Sequence, residues 1–479
     1  MNKNGITVGI EVHVQLQSCT KMFCSCPNSY GDPPNTNICP VCMGLPGALP
    51  TVNANATRMG IMLALALSCN VNRFVPYHRK NYFYPDLPKG YQITQFYTPL
   101  GQDGSLNVYV NEQPKDILIE RIHLEEDSGK MFHDGNITSS AHSLVDYNRC
   151  GAPLAEIVTK PCMKSSEEVW AYLVGLRNLV RYLGVSSGNM DEGALRCDLN
   201  ISVDKPDGSL GTKVEIKNLN SFRSARRAIE FEEKRQRDMI GSGAVIETQT
   251  MHFNESTGET IAMRSKEMLN DYRYFPEPDL PPLRISENEL ESIREEMPEI
   301  PSAKVDRFVK EYDLSLYDAL VLTADKETAR FFEQATSHGG NPKKICNWLT
   351  VEIAGRLSKR NLSLEKSKMT PENLSTLVHL IDEGTITGKA GKDILDDVID
   401  GADPIKIAER RGLIAIVDEE AIREMIKLVI KKNPNQFNQY KEGKKQLFGF
   451  FVGAVVKEST GKAPGHLISK LLKQELDRD

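Results

Sequence analysis

The stretch "GITVGIEVHVQL", residues 5–16, places Ile6, Val8, Ile10, Val12, Val14 and Leu16 on one parity and Thr7, Glu11, His13 and Gln15 on the other. Apolar residues at every second position predict a β-strand with one buried face, because successive strand side chains point to opposite sides of the pleat. The opposite face then carries Glu11 and His13 side by side. On a lone strand such residues face water; repetition of the pattern on further strands is what would make a site.

The pattern does recur. In "ILIERIHLEED", 117–127, Ile122 and Leu124 alternate with Arg121, His123 and Glu125. In "ALRCDLNISV", 194–203, Leu195, Cys197, Leu199, Ile201 and Val203 alternate with Arg196, Asp198, Asn200 and Ser202. In "TKVEIKNL", 212–219, Val214 and Ile216 alternate with Lys213, Glu215 and Lys217. Four strands apolar on one side predict one sheet covering a core, with a polar surface on its other side. Solvated strand faces are the default for any one of them. Asp and Asn are depleted in strands, however, so their accumulation favours a site. Carboxylates suit a hard divalent cation such as Mg²⁺, and neighbouring Arg and Lys suit phosphate.

A magnesium–nucleotide site would need an unusual scaffold. No G-x-x-x-x-G-K-[ST] loop is present, and "EGTITGKAGKD", 383–393, has its glycines at the wrong spacing. No hydrolase nucleophile signature is visible either, so a covalent enzyme intermediate is not indicated.

Ten cysteines punctuate the chain. Cys24-x-Cys26, twelve residues, then Cys39-x-x-Cys42 bracket a loop rich in Pro, Gly and Asn, the layout of a four-cysteine zinc knuckle. Four sulfur ligands leave zinc no open position, so its role would be structural. The scattered Cys19, Cys69, Cys150, Cys162, Cys197 and Cys346 read as small buried hydrophobes.

The 479 residues, 40% hydrophobic and 26% charged, indicate a globular protein of about two to four domains. No signal-peptide core and no membrane-spanning stretch is seen, which predicts a cytoplasmic protein without membrane contact. The net charge of −6 hides an uneven distribution, since 425–474 holds ten Lys and only the acids Glu442 and Glu458. Basic ends of this kind meet phosphate. Short alternating runs end at the four prolines of "YFPEPDLPPLRIS", 274–286. Ser286 and Glu289 then make a capping box, and helical spacing follows. The expected fold is α+β: an N-terminal antiparallel-sheet cradle, 1–285, with the knuckle at 24–42, followed by all-helical domains at 286–405 and 406–479. The helix beginning "SFRSARRAIEF" sets Arg223, Arg226 and Arg227 around an apolar stripe, either as a solvated flank or as a phosphate contact. The aromatic loops "YFYPDLPKGYQITQ" and "RSKEMLNDYRYFPEPDLPP" either stack a base or plug a sheet edge.

These stretches, with "CPVCMGLPGALP", "HLEEDSGK", "DYNRCGAPLAEIV", "DEGALRCDLNIS" and "KVEIKNLNSF", closely resemble the GatB family, one of the components of the bacterial aspartyl/glutamyl-tRNA amidotransferase GatCAB. The tail resembles that family's small helical domain, related to YqeY-type proteins. The resemblance implies ATP-dependent phosphorylation of the side-chain carboxylate of misacylated Glu-tRNA(Gln) or Asp-tRNA(Asn). Ammonia from the glutaminase component, GatA, then displaces phosphate, and the small protein GatC completes the complex. It also implies Mg²⁺ and ATP as cofactors beside structural Zn²⁺ on Cys24, Cys26, Cys39 and Cys42.

Carried over by position, Glu11, His13, Glu125 and Glu215 are the catalytic and Mg²⁺-binding candidates. Asp198, Asp191 and Glu192 are further candidates for that ligand set. His13 either ligates or holds water or substrate, since Mg²⁺ favours oxygen. For nucleotide or tRNA the cradle offers Lys89, Arg149, Asp191, Glu192, Arg196 and Asn200, with Lys217, Asn218 and Arg223 further along. Lys444 and Lys445 are the tail's candidates. A second hypothesis makes the chain a non-catalytic, zinc-containing tRNA-binding adaptor of the same complex. Clustered carboxylates disfavour it, because an adaptor facing RNA phosphates has no use for them.

Overall fold

In the computed structural model of the chain, which describes residues 5–133, 142–263, 272–415, 418–459 and 462–477, the opening stretch forms strand β1 (Ile6–Gln15). Its apolar parity is buried from Ile6 to Val14, whereas Glu11, His13 and Gln15 are half-buried. Eight more strands join it among the described residues. In chain order they are β2 (Asn70–Val71), β3 (Gly101–Val110), β4 (Gln113–Glu126), β5 (Pro153–Thr159), β6 (Leu195–Val203), β7 (Val214–Leu219), β8 (Gln249–Asn254) and β9 (Glu259–Ala262). The sheet order is β9-β8-β7-β6-β1-β5-β4-β3-β2, which puts β1 at the centre.

The sheet departs from the expected antiparallel pattern at one pair. β7 and β8 run parallel, so the sheet is mixed. Parallel neighbours need a crossover connection, and the helix α3 (Phe222–Gly241) lies between them in sequence and supplies it. A second difference is β5, "PLAEIVT", which inserts between β1 and β4. All seven of its residues are buried, so it shows no alternation for a sequence reading to detect.

The apolar face of the sheet is covered by α1 (Ala54–Ala66), α2 (Ser166–Tyr182) and α3. Val8, Ile10, Val12, Leu199 and Ile201 of the sheet share one core with Ile61, Leu173, Leu176 and Ile229 of these helices. Fully burying such a side chain is worth about 1.5–3 kcal/mol, and this face is what fixes the strand register. Asn53, Ser165 and Ser221 cap the three helices by accepting from the amides of Ala56, Glu168 and Ser224, about 1 kcal/mol each. A smaller sheet pairs His78–Asn81 with Tyr91–Thr94 and Phe275–Pro276.

After the proline-rich stretch, Ser286 accepts a hydrogen bond from the Glu289 amide at 3.2 Å and starts helix Glu287–Glu296. Its Leu290 and Ile293 join the sheet core. Chain contacts divide the protein into Met1–Lys304 and Val305–Asp479. The named elements of the second unit are all helices among the described residues, with one isolated bridge between Ile386 and Ile414. Asp325 caps helix Lys326–Ser337 and so separates it from Leu316–Thr323. Between helices Pro342–Asn347 and Ala354–Lys359 lies a π-helical section, Trp348–Ile353. Near the end, helices Glu419–Lys432, Phe448–Glu458 and Gly465–Leu476 bury Ile422, Ile426, Phe451, Val455 and Leu471 against one another. Among the described residues no helix is long and apolar enough to cross a membrane.

Candidate active site

Strand register assembles the polar face. His123 on β4 lies opposite Glu156 on β5, Glu156 lies opposite His13 on β1, and His13 lies opposite Arg196 on β6. Directly opposed residues of antiparallel strands share a face, so these four side chains form one rung across four strands. The next rung pairs Glu11 with Asp198, and the one beyond pairs Asn200 with Glu215 on β7. Together they floor a cleft of about 390 Å³. Lys80, Tyr82, Gln92, Thr94, Tyr272 and Tyr274 wall it from the smaller sheet and its flanking segments. Residues 264–271, the "RSKEMLND" half of the second aromatic loop, lie outside the described residues.

The rung is held by charge. His13 Nε2 lies 3.3 Å from Glu156 Oε2 and 3.5 Å from Glu125 Oε1. His123 Nε2 approaches the same two carboxylates at 3.3 and 3.5 Å from the other side. Burial pushes both imidazoles down, but Glu156 and Glu125 outweigh it, so His13 stands above its ordinary value and His123 reaches about 9. Burial raises the Glu156 carboxyl in turn, and the charges and hydrogen bonds of His123 and His13 more than reverse this, holding it well below the usual range. Glu11 behaves oppositely: burial first, then the Glu156 charge, raises it, although Asn200 Nδ2 donates to its Oε1 at 3.1 Å. Lys217 Nζ bridges Asp198 Oδ2 and Glu215 Oε1, each at 3.1 Å.

His13, Glu125 and Glu156 each offer a ligand atom, all within 4.8 Å of one another. Two carboxylates converging with one imidazole fit a divalent cation, and Mg²⁺ would take the oxygens and complete its shell with water. Such an ion would favour the unprotonated imidazole beside it, because metal ligands bind in their deprotonated form.

Of the residues singled out in the sequence, the cleft brings together Glu11, His13, Glu125, Arg196, Asp198, Glu215 and Lys217, with Asn200 bonded to Glu11. Arg196 Nη2 donates to Asp127 Oδ2 at 2.7 Å, and Arg149 Nε lies 3.4 Å from the same oxygen. The others sit elsewhere. Lys89 forms a buried ion pair with Glu126. Asp191 and Glu192 occupy the turn before β6, Asn218 Nδ2 donates to the Phe253 carbonyl, and Arg223 is exposed on α3. Arg226 pairs with Glu167 and Glu230, as a structural helix flank does. Lys444 and Lys445 are exposed near the end of the second unit. Phe96, directly after the first aromatic loop, stacks on Tyr274 of the second with centroids 3.8 Å apart, and Tyr82 meets Tyr272 edge-on at 6.0 Å.

Glu156 is not among the residues marked by the sequence, and His123 is marked only as part of the polar strand face. His123 shares the parity of Glu125 and could have been chosen by that signal. The signal for Glu156 was a lone acid within an otherwise apolar run.

The four knuckle cysteines bring their sulfurs within 4.8 Å of one another, and all are free thiols. Cys39 and Cys42 sulfurs stand 3.9 Å apart, far beyond the roughly 2.05 Å of a disulfide. A hydrogen bond from Cys24, then the Cys39 amide and the charge of Lys21, push Cys42 down to about 5 despite burial. Four converging cysteine sulfurs, one of them disposed to ionise, suit a soft or borderline metal. Of the scattered six, Cys69, Cys150, Cys197 and Cys346 are buried, Cys162 is half-buried and Cys19 is exposed.

A central sheet carrying this cleft, followed by a helical unit, corresponds to two families. Residues 6–291 match the GatB/GatE catalytic domain, and residues 330–476 match the GatB domain. The chain is 47% identical over 474 residues to the GatB component of the aspartyl/glutamyl-tRNA(Asn/Gln) amidotransferase of Thermotoga neapolitana, covering 98% of each. It is 47% identical over 473 residues to that of Persephonella marina, again covering 98% of each. For that of Crocosphaera subtropica the identity is 45% over 481 residues, covering 98% of this chain and 97% of the relative. The chain belongs to the GatB family of aspartyl/glutamyl-tRNA(Asn/Gln) amidotransferases.

Proposed function

We propose that this chain is the carboxylate-activating component of a glutamine-hydrolysing, tRNA-dependent amidotransferase. A side-chain carboxylate is a poor electrophile at neutral pH. One of its oxygens attacks the γ-phosphorus of ATP and ADP leaves, giving an acyl phosphate on Glu-tRNA(Gln) or Asp-tRNA(Asn). Ammonia then attacks the acyl carbon and loses a proton as phosphate departs with the carbon–oxygen bonding pair, leaving Gln-tRNA(Gln) or Asn-tRNA(Asn).

Bound magnesium would supply charge neutralisation of the phosphates in such a transfer. Glu125, Glu156 and His13 are the residues to hold it, with Glu11 on the adjacent rung. Arg196 and Lys217 supply positive charge along the same floor, and the aromatic wall offers rings for a base. The observation that carries this reading is the cluster of Glu156, His13 and His123 on one rung with Glu125 beside it, facing a cleft rather than bulk water. Ammonia is expected from the glutaminase GatA, with the small protein GatC as third partner, because the sequence shows no amidase-like Ser/Lys signature. In the assembled complex, free ammonium with ATP should support transamidation without glutamine. Product formation without ATP would contradict the proposal.

The four cysteines are proposed to bind structural zinc, and residues 406–479 to hold the tRNA body. The ten Lys of 425–474 are flexible point charges suited to phosphate rather than to base edges. Several make partial pairs, Lys432 with Glu458 and Lys470 with Glu419, which leaves the excess in place. Deleting residues from about 408 onward should raise KM for misacylated tRNA and flatten its salt dependence, because fewer counterions are released on binding. Unchanged affinity and salt slope would remove the tail from the tRNA site.

A further inference from the structure

Lys21 is fully buried, 0% exposed, three residues before Cys24. Its ammonium donates to the carbonyl of Asn37 at 2.6 Å and to that of Tyr147 at 3.3 Å, and it stands 3.8 Å from Cys42 Sγ. Among the described residues no carboxylate pairs with it. A buried ammonium without an anion is very costly, and carbonyl dipoles alone do not balance its charge. The negative charge within reach is that of the cysteine cluster. Four thiolates around a divalent cation keep a net negative charge, which a neighbouring lysine would offset.

The same lysine reaches a segment that ends at the cleft. Tyr147 precedes Arg149, whose Nη2 donates to the Gly129 carbonyl at 2.6 Å. The Gly151 amide donates to the Asp127 carbonyl at 2.8 Å, and the Asp127 carboxylate receives Arg196 of the catalytic rung. The knuckle loop grips the segment a second time, as the Asn37 amide donates to Asn148 Oδ1 at 2.8 Å. Cysteine cluster, Lys21, residues 147–151 and Asp127 therefore form one connected path.

We propose that Lys21 is the counter-ion of a metal-loaded four-cysteine centre and the positioning residue that ties this centre to the edge of the cleft. The inference rests on reading Cys24, Cys26, Cys39 and Cys42 as a metal site, and it assigns a role to a residue outside the ligand set. Residues that support metal ligands from behind typically change metal affinity by about 10–100-fold when replaced.

The test uses the full chain in its assembled complex, loaded with zinc. Lys21→Met keeps the stem and removes the charge, Lys21→Gln keeps a hydrogen-bond donor without charge, and Lys21→Arg keeps the charge. Zinc release to a chromogenic chelator should be about tenfold faster in both neutral variants and near wild type in Lys21→Arg. The zinc-loaded neutral variants should melt lower than wild type. After the metal is stripped they should melt no lower, because the wild-type ammonium then lacks its full counter-charge. Release from Lys21→Gln at the wild-type rate would overturn the counter-ion role, as would an equal fall in melting temperature with and without metal. Failure of the wild-type complex to take up zinc would instead overturn the metal reading beneath it.

Discussion

Glu156→Gln should lower ATP-dependent transamidation by about a hundredfold or more, with ammonium as well as with glutamine as nitrogen donor. The variant is nearly isosteric, so strand β5 keeps its packing. What disappears is the carboxylate that His13 and His123 share at 3.3 Å each. That acid is held ionised by the two imidazoles, and it is one of three groups able to converge on a cation. Losing a preorganised charge of this kind costs catalytic sites about 10²–10³-fold. Removing one partner from a buried charge cluster also destabilises the fold, by up to about 3–5 kcal/mol when the remaining charge cannot be relieved. Here the imidazoles can shed their protons, so the fold should survive. Mn²⁺ binding followed by electron paramagnetic resonance should weaken in parallel, while glutaminase activity in the partner persists. Retained Mn²⁺ affinity with normal turnover would return Glu156 to a purely structural role.

Glu11→Gln should abolish transamidation to a similar extent while leaving the cation site less disturbed, because Glu11 lies one rung away, opposite Asp198. Its carboxyl is raised by burial and by the Glu156 charge, and Asn200 holds one of its oxygens. It is thus placed to respond to charge brought in by nucleotide or substrate. Supplying ammonia bypasses the partner's glutaminase but not carboxylate activation, so ammonium should not rescue the variant. The two substitutions then separate by their effect on metal: Glu156→Gln weakens Mn²⁺ binding strongly, and Glu11→Gln much less.

Much of this site is legible in the sequence, and the part that is not has a physical cause. β1 and β6 alternate because helices cover one face of the sheet and the other borders a cleft, so Glu11, His13, Arg196 and Asp198 stand out by parity. β5 is buried on both faces, and a seven-residue run without alternation carries no strand signal that separates it from a buried helix. With the strand unread, its single acid, Glu156, passed unread as well. The parallel pairing of β7 with β8 is a property of the α3 crossover, and nothing within either strand announces it. The four knuckle cysteines are marked by spacing, whereas Lys21 looks in sequence like any surface lysine. Lys89, a nucleotide or tRNA candidate in the sequence, forms a buried ion pair with Glu126 in the fold, a partnership that no local sequence pattern announces.

In the proposed reaction the cleft over His13, Glu125 and Glu156 turns a carboxylate into an acyl phosphate. Isotope transfer follows that step. Misacylated tRNA whose glutamate or aspartate side-chain carboxylate is labelled with ¹⁸O would be given to the assembled complex with ATP and ammonium, and the released phosphate analysed by mass spectrometry. Wild type should place one labelled oxygen in each phosphate formed, because the carboxylate oxygen that attacks phosphorus leaves with it. Glu156→Gln should produce labelled phosphate at least about a hundredfold more slowly. Amide product formed alongside unlabelled phosphate would contradict the account.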